Sequence, residues 1–187
     1  MLPNFPITPG KYVSDLFLEK GITTFHRAIE FIHALPFRRN SDKNDTGITI
    51  KENCGTCGAK HATLAQLAIE NNHAEIQLTL GIYRMNGKNT PLTGPVLAKY
   101  DLEYIPEAHN YLTYNHTVYD YTFPGSTKTE FVNSLMFSAP MPPGDIGDKK
   151  VEFHKEFIAA WIKSENIQYS PGELWAIREE CIAALSR

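Results

Sequence analysis

The hydrophobic pattern of this 187-residue chain changes period at Asn71-Asn72. Before that pair, apolar residues recur at helical spacing. After it, Ile76, Leu78, Leu80 and Ile82 alternate with Gln77, Thr79, Gly81 and Tyr83. The first spacing lines one side of a helix and the second lines one face of a strand. A chain that makes this switch is expected to fold as α+β, with helices packed on an antiparallel sheet.

Two helices are predicted before the switch. The segment Thr24 to Leu35 carries Phe25, Ala28, Ile29, Ile32 and Leu35 behind a threonine cap, and Pro36 stops it. From about Gly58 to Asn71 the chain is apolar around much of its circumference (Ala62, Leu64, Ala65, Leu67, Ala68, Ile69), which marks a helix buried within the domain. Between them, Phe37 to Asn53 reads as a polar, turn-rich loop that delivers the chain to two cysteines and is placed to line a cleft. Strands are predicted at Glu75 to Met85, with one buried face, and at Leu102 to Ile105, His109 to Tyr114 and Thr117 to Thr122, all rich in Tyr, Thr, Val and Leu. Met85 to Glu103 is an excursion between core strands. Pro124-Gly125-Ser126 closes the sheet segment, and Ala139 to Gly144, with three prolines, forms a stiff connector into a helical tail. That tail holds a helix from Val151 to Ile162 and a second from Pro171 towards Ser186, opened by the capping box Ser170-Pro171-Gly172-Glu173.

Composition bounds what such a fold can do. With 42% hydrophobic and 21% charged residues the chain can bury a core, and its length suits one domain. A net charge of -3 with scattered Lys and Arg leaves no basic footprint, so nucleic acid is not an expected partner. The segment Met1 to Pro6 lacks a charged region followed by an apolar run, and no later run approaches a membrane span, so a cytoplasmic protein without membrane attachment is expected. Three cysteines do not make a disulfide framework. Chemistry or burial must account for them.

Cys57 stands at the mouth of the second helix, in Asn53-Cys54-Gly55-Thr56-Cys57-Gly58-Ala59-Lys60-His61. The unpaired N–H groups and positive dipole end of a helix N-terminus favour a thiolate. A nucleophilic thiol also needs a base and an orienting group, and His109 and Asp120 follow on predicted strands. A two-residue turn at Asn115-His116 pairs Tyr114 with Thr117, so that His109 faces Thr122 with Asp120 diagonally beside it. A turn shifted to Tyr114-Asn115 puts His109 opposite Asp120. Either turn keeps both on one sheet face. In that arrangement His109 takes the thiol proton, Asp120 holds the imidazole in its useful tautomer, and the Cys57 N–H donates to an oxyanion. Lys60 and His61, one turn further on, read as a polar rim at the helix start or as substrate contacts. Cys181 reads as core, His116 as an exposed turn residue, and Arg38-Arg39 as a solvated pair.

The segments Gly55 to Ala62, Pro106-Glu107-Ala108-His109 and Tyr119-Asp120-Tyr121-Thr122 together resemble the transglutaminase-like superfamily. The resemblance covers about residues 46–123 and leaves out a C-terminal helical extension, about 148–187. It implies a papain-like core in which a Cys-bearing helix packs against an antiparallel sheet carrying His and Asp on neighbouring strands; the N- and C-terminal helices read from the sequence are additions to that core. It implies Cys57 as nucleophile, His109 as base and Asp120 as orienter, with a peptide, protein or small amide as substrate and no cofactor. Cys54 is an extra thiol for that pattern. Two other classes use it: Cys54-Gly55-Thr56-Cys57 also resembles a thioredoxin-type redox motif, with Ile105-Pro106 as a candidate cis-proline, and Cys54, Cys57 and His61 make a candidate metal site, since Cys57 and His61 share a helix face. Against the redox motif stand a polar loop where a strand is needed and no preceding Trp. Against the metal site stands the lack of a second ligand pair. The expectation is a thiol hydrolase or acyltransferase acting on an amide or peptide-like bond, with a non-catalytic binding domain as a further alternative to the redox and metal readings.

Overall fold

The computed structural model describes residues 1–125 and 129–185, and all structural statements concern these. Ser126 and Ser186, at which a turn and the last helix were predicted to end, lie outside them. The helices are α1 Tyr12–Glu19, α2 Phe25–Ala34, α3 Ile48–Glu52, α4 Cys57–Glu70, α5 Gly94–Lys99, α6 Asp148–Ser164 and α7 Pro171–Leu185. Four strands, β1 Gln77–Met85, β2 Ile105–Tyr114, β3 Thr117–Tyr119 and β4 Leu135–Pro140, form one antiparallel sheet in the order β3-β2-β1-β4. The α+β class is therefore as expected. No described helix is long and apolar enough to cross a membrane.

The chain divides into two compact units. The first comprises Met1–Leu80, Asn110–Thr129 and Ala139–Gly147. Its centre is α4, whose Ala62, Leu64, Ala65, Leu67 and Ala68 are buried with Phe17 of α1, Phe25 and Ile32 of α2, Ile50 of α3 and Leu112 of β2. The second comprises Gly81–His109, Glu130–Ser138 and Asp148–Arg187. There α7 packs on α5 and α6, and buried Leu97, Ile158, Trp161, Leu174, Ile177 and Cys181 supply the apolar interior.

Several predicted elements need correction. Helix α1 carries no start signal of its own: its N-cap Lys11 makes no side-chain bond, and the Glu70 carboxylate at the end of α4 accepts the Val13 and Ser14 N–H groups instead. The predicted loop Phe37 to Asn53 contains α3, a single turn that buries Ile48, Thr49 and Ile50. β1 is buried on both faces, with Thr79 and Tyr83 inside as well as Leu78, Leu80 and Ile82. Of the strand predicted at Leu102 to Ile105 only Ile105 is in a strand: it opens β2, which runs on through Pro106 to Tyr114, because a proline next to a strand's start removes a single ladder donor. β4 replaces the first part of the stiff connector.

The turn between β2 and β3 follows the first of the two predicted registers. Leu112, Thr113 and Tyr114 pair with Tyr119, Val118 and Thr117, and Asn115 and His116 both have positive φ, as a type I′ turn requires. β3 stops at Tyr119 rather than at Thr122. The reason is that the next donors are taken by side chains: the Tyr121 N–H bonds to His61 and the Thr122 N–H to Asp120. The capping box is present as predicted. Ser170 N–H and Oγ–H donate to the Glu173 carboxylate at 2.8 and 2.7 Å, and the Glu173 N–H returns to Ser170 Oγ at 3.3 Å.

Candidate active site

The approach to Cys57 is fixed by backbone. Asn53 ends α3 in the left-handed region, and Gly55 then pairs in parallel with Phe37, its N–H donating to Pro36 O and its carbonyl accepting the Arg38 N–H. A Cβ at Gly55 would stand 3.0 Å from Thr49 Oγ1 and 3.1 Å from Lys60 Cγ, so a larger residue here would oblige one of these side chains to give way slightly. Thr56 is the N-cap of α4 in an extended conformation but makes no side-chain cap bond. Cys57 is the first helical residue and half-buried. Its sulfur therefore lies at the positive end of a 14-residue helix that no side chain of its own cap neutralises.

Cys54, three residues earlier, is fully buried. Arg38 Nε donates to its sulfur at 3.4 Å, and Asn40 Nδ2 donates to its carbonyl at 2.9 Å and to its sulfur at 3.7 Å. Arg38 is thus more than one of a solvated pair. Cys54, Cys57 and Cys181 are all free thiols. Cys181 is core as expected, and burial pushes its thiol up to about 11.

Lys60 and His61 are not a polar rim, since both side chains are entirely buried. No local signal announces this, because the Leu35 and Thr122 carbonyls and the Tyr121 N–H that satisfy these side chains belong to distant segments. The His61 ring has one tautomer compatible with its partners. Nδ1–H donates to the Cys57 carbonyl at 2.8 Å, and Nε2 accepts the Tyr121 N–H at 2.8 Å. With both ring nitrogens serving backbone groups, the candidate metal site of Cys54, Cys57 and His61 is not formed, and no group of three or more potential ligands occurs among the described residues. The Ile105-Pro106 bond proposed for the redox motif is trans.

Asp120 is buried. Its Oδ1 accepts the Thr122 N–H at 2.9 Å and the Thr122 hydroxyl at 2.5 Å, and lies 3.6 Å from His61 Nε2. Lys60 Nζ donates to the Thr122 carbonyl at 2.8 Å and to the Leu35 carbonyl. Two consecutive side chains of α4 therefore grip the segment that carries the Asp120 carboxylate. Removing one grip has a measurable cost. His61→Leu leaves the Tyr121 N–H without its acceptor, and a loss of about 1–3 kcal/mol is expected in urea unfolding. An unchanged midpoint would show that this N–H finds another partner at no cost.

His109 belongs to the second unit, on β2, where it is half-buried. Its ring meets the edge of Phe131 at 4.7 Å and of Tyr83 at 6.1 Å, and those two rings also contact each other at 5.7 Å. An imidazole set among aromatic rings has few rotamers open to it. His116 is exposed, as its place in the turn implies. The structure thus brings Cys57, His61, Lys60 and Asp120 together around the start of α4 in the first unit. Comparison of the chain with protein-family models, curated proteins and solved structures finds no match.

Proposed function

We propose that the protein is a thiol-dependent hydrolase or acyltransferase with a papain-like, transglutaminase-like core, acting on an amide or peptide-like bond. Cys57 is the nucleophile, His109 the base and Asp120 the residue that orients it. The observation that carries this reading is the position of Cys57, half-buried and first in α4, at a helix end whose own cap side chain leaves it open. The buried Asp120 carboxylate, pinned through Thr122 and through α4, has the rigidity an orienting group needs.

In the first half-reaction the Cys57 thiolate adds to the amide carbon, and the Cys57 N–H is placed to donate to the oxyanion. His109, having taken the thiol proton, gives it to the departing nitrogen as the C–N bond breaks. An acyl-thioester and a free amine remain. Water then loses a proton to His109 and adds to the thioester carbon, the sulfur leaves, and a carboxylic acid is released. An amine in place of water yields a new amide. Substrate choice rests with the surrounding loops.

Iodoacetamide tests the reading. Cys57 is expected to label well ahead of Cys54 and Cys181, with a pH midpoint below the ordinary thiol value of about 8.5. His109→Ala should slow labelling near neutral pH about tenfold, because the imidazolium no longer stabilises the thiolate. Exposure alone favours Cys57, so the midpoint decides. A midpoint at the ordinary value, unmoved by His109→Ala, sinks the triad. Catalysis of insulin reduction, with a Cys54–Cys57 disulfide in equilibrium with glutathione, would replace this reading by the dithiol one.

A further inference from the structure

Lys60 is a charged side chain with no exposure at all, and both acceptors of its ammonium are neutral backbone carbonyls, Leu35 O and Thr122 O. A methionine would fill the same length without the cost of burying a charge. The chain is moreover shaped around this lysine: Gly55, between the two cysteines, has no Cβ, and a Cβ there would press on the Lys60 stem at 3.1 Å. The titratable groups that act on the ammonium come from three segments, Asp120 after β3, Cys54 in the loop before α4, and Cys57 on α4 itself. His61, next in the helix, accepts at Nε2 and donates at Nδ1, which is the pattern of a neutral ring.

We propose that Lys60 is a positioning residue of this site: its buried ammonium holds the Asp120–Thr122 segment against α4 and supplies the positive charge that favours Cys57 as thiolate. The inference rests on reading Cys57 as the nucleophile and adds a second source of activation to the helix end. Lys60 lies one turn behind Cys57 on the same helix, so its charge reinforces the positive end of α4 rather than opposing it. Burial removes the water that would otherwise screen the interaction. Burial pushes the Lys60 ammonium down to about 8, while Asp120, Cys54 and Cys57 act to raise it. The charge is thus present at neutral pH and withdrawn in mildly alkaline solution. Lys60 touches no reacting atom in this scheme; it acts through Cys57 and Asp120.

The test is the pH profile of Cys57 alkylation in the full chain, with Lys60→Met beside the wild type. A purely structural lysine would change stability and leave the midpoint alone. On this proposal the Met variant, while folded, titrates Cys57 about one pH unit higher, so that labelling at neutral pH falls about tenfold while the limiting alkaline rate is unchanged. A folded variant with the wild-type midpoint overturns the role of Lys60, and a low midpoint in the wild type then leaves the nucleophile reading standing. An ordinary midpoint in the wild type that still rises in Lys60→Met supports the coupling and removes the nucleophile reading instead. Should the Met variant not fold, the coupling is read from the other side. In Cys57→Ser, the Lys60 13Cε resonance is expected to titrate at lower pH than in wild type, because linkage between two charges is mutual. Identical Lys60 titrations in the two proteins overturn the proposal.

Discussion

Replacing Arg178 with Met is expected to destabilise the protein by about 3–5 kcal/mol, measured as the loss in unfolding free energy in urea. Arg178 Nε donates to Glu107 Oε2 at 2.7 Å and its Nη2 donates to Oε1, a bidentate pair between α7 and β2 with little of either side chain exposed. Burial pushes the Glu107 carboxyl up, and the guanidinium's charge and hydrogen bonds more than reverse this, leaving the group below the usual carboxylate range. Without the arginine the carboxylate remains buried and unpaired, or must take up a proton. That is why truncating one partner costs more than the pair contributes. The second site change Glu107→Leu should restore most of the loss, since it removes the stranded charge. A loss under about 1 kcal/mol in the single variant would mean that water reaches Glu107 when the guanidinium is gone.

The same pair sets a pH dependence. A carboxyl lowered in the folded state contributes stability above its unfolded value near 4.5, and that contribution is lost as pH falls from there through the folded value. His154 acts in the same direction. Burial lowers its imidazole from the ordinary 6.5, with Nε2–H donating to the Pro106 carbonyl, so protonation on acidification favours the unfolded chain. Acid stability is therefore expected to decline first near pH 6.5 and again below 4.5 in the wild type. In the Arg178→Met, Glu107→Leu double variant the lower step should be smaller, the remainder belonging to other lowered carboxyls such as Asp45 and Glu52.

Phe25→Ala is the second large effect, again about 3–5 kcal/mol by urea unfolding. The Phe25 ring is fully buried at the start of α2, stacked on Phe5 with centroids 4.5 Å apart, and Phe5 in turn stacks on His73 at 4.0 Å. The backbone supports the same contact: the Phe25 N–H donates to Phe5 O and the Ile7 N–H to Thr23 O. Truncation removes the apolar transfer energy and leaves a cavity between chain segments that backbone bonds prevent from closing. Ile69→Ala is the control, since that side chain is 43% exposed and a change within about 0.5 kcal/mol is expected. Equal losses at the two positions would mean that the N-terminal segment is not seated on α2 in solution.

How much of this was legible depends on whether the signal was local. The capping box at Ser170, the Pro36 stop, the buried helix α4 and the Asn115-His116 turn are all written in short runs of neighbouring residues and can be read there. Helix α1 is capped by Glu70, more than fifty residues away, so its start leaves no local trace. Helix α3 is one turn long, too short for a period to register. Lys60 and His61 were misread for a different reason. A charged or ionisable residue at a helix mouth ordinarily faces water, and only the carbonyls of Leu35, Thr122 and Cys57 and the N–H of Tyr121 make their burial tolerable.

The sequence by itself determined the α+β class, the buried character of α4 and the placing of Cys57 at its N-terminus, because periodicity and helix ends are properties of adjacent residues. Only the tertiary structure decided what surrounds that thiol. Asp120 leaves the ladder because two side chains of α4 and Asp120 itself take over the hydrogen bonding of residues 121 and 122. The two bonds from α4 join parts of the chain some sixty residues apart. Their existence depends on burial, which no short stretch of sequence encodes.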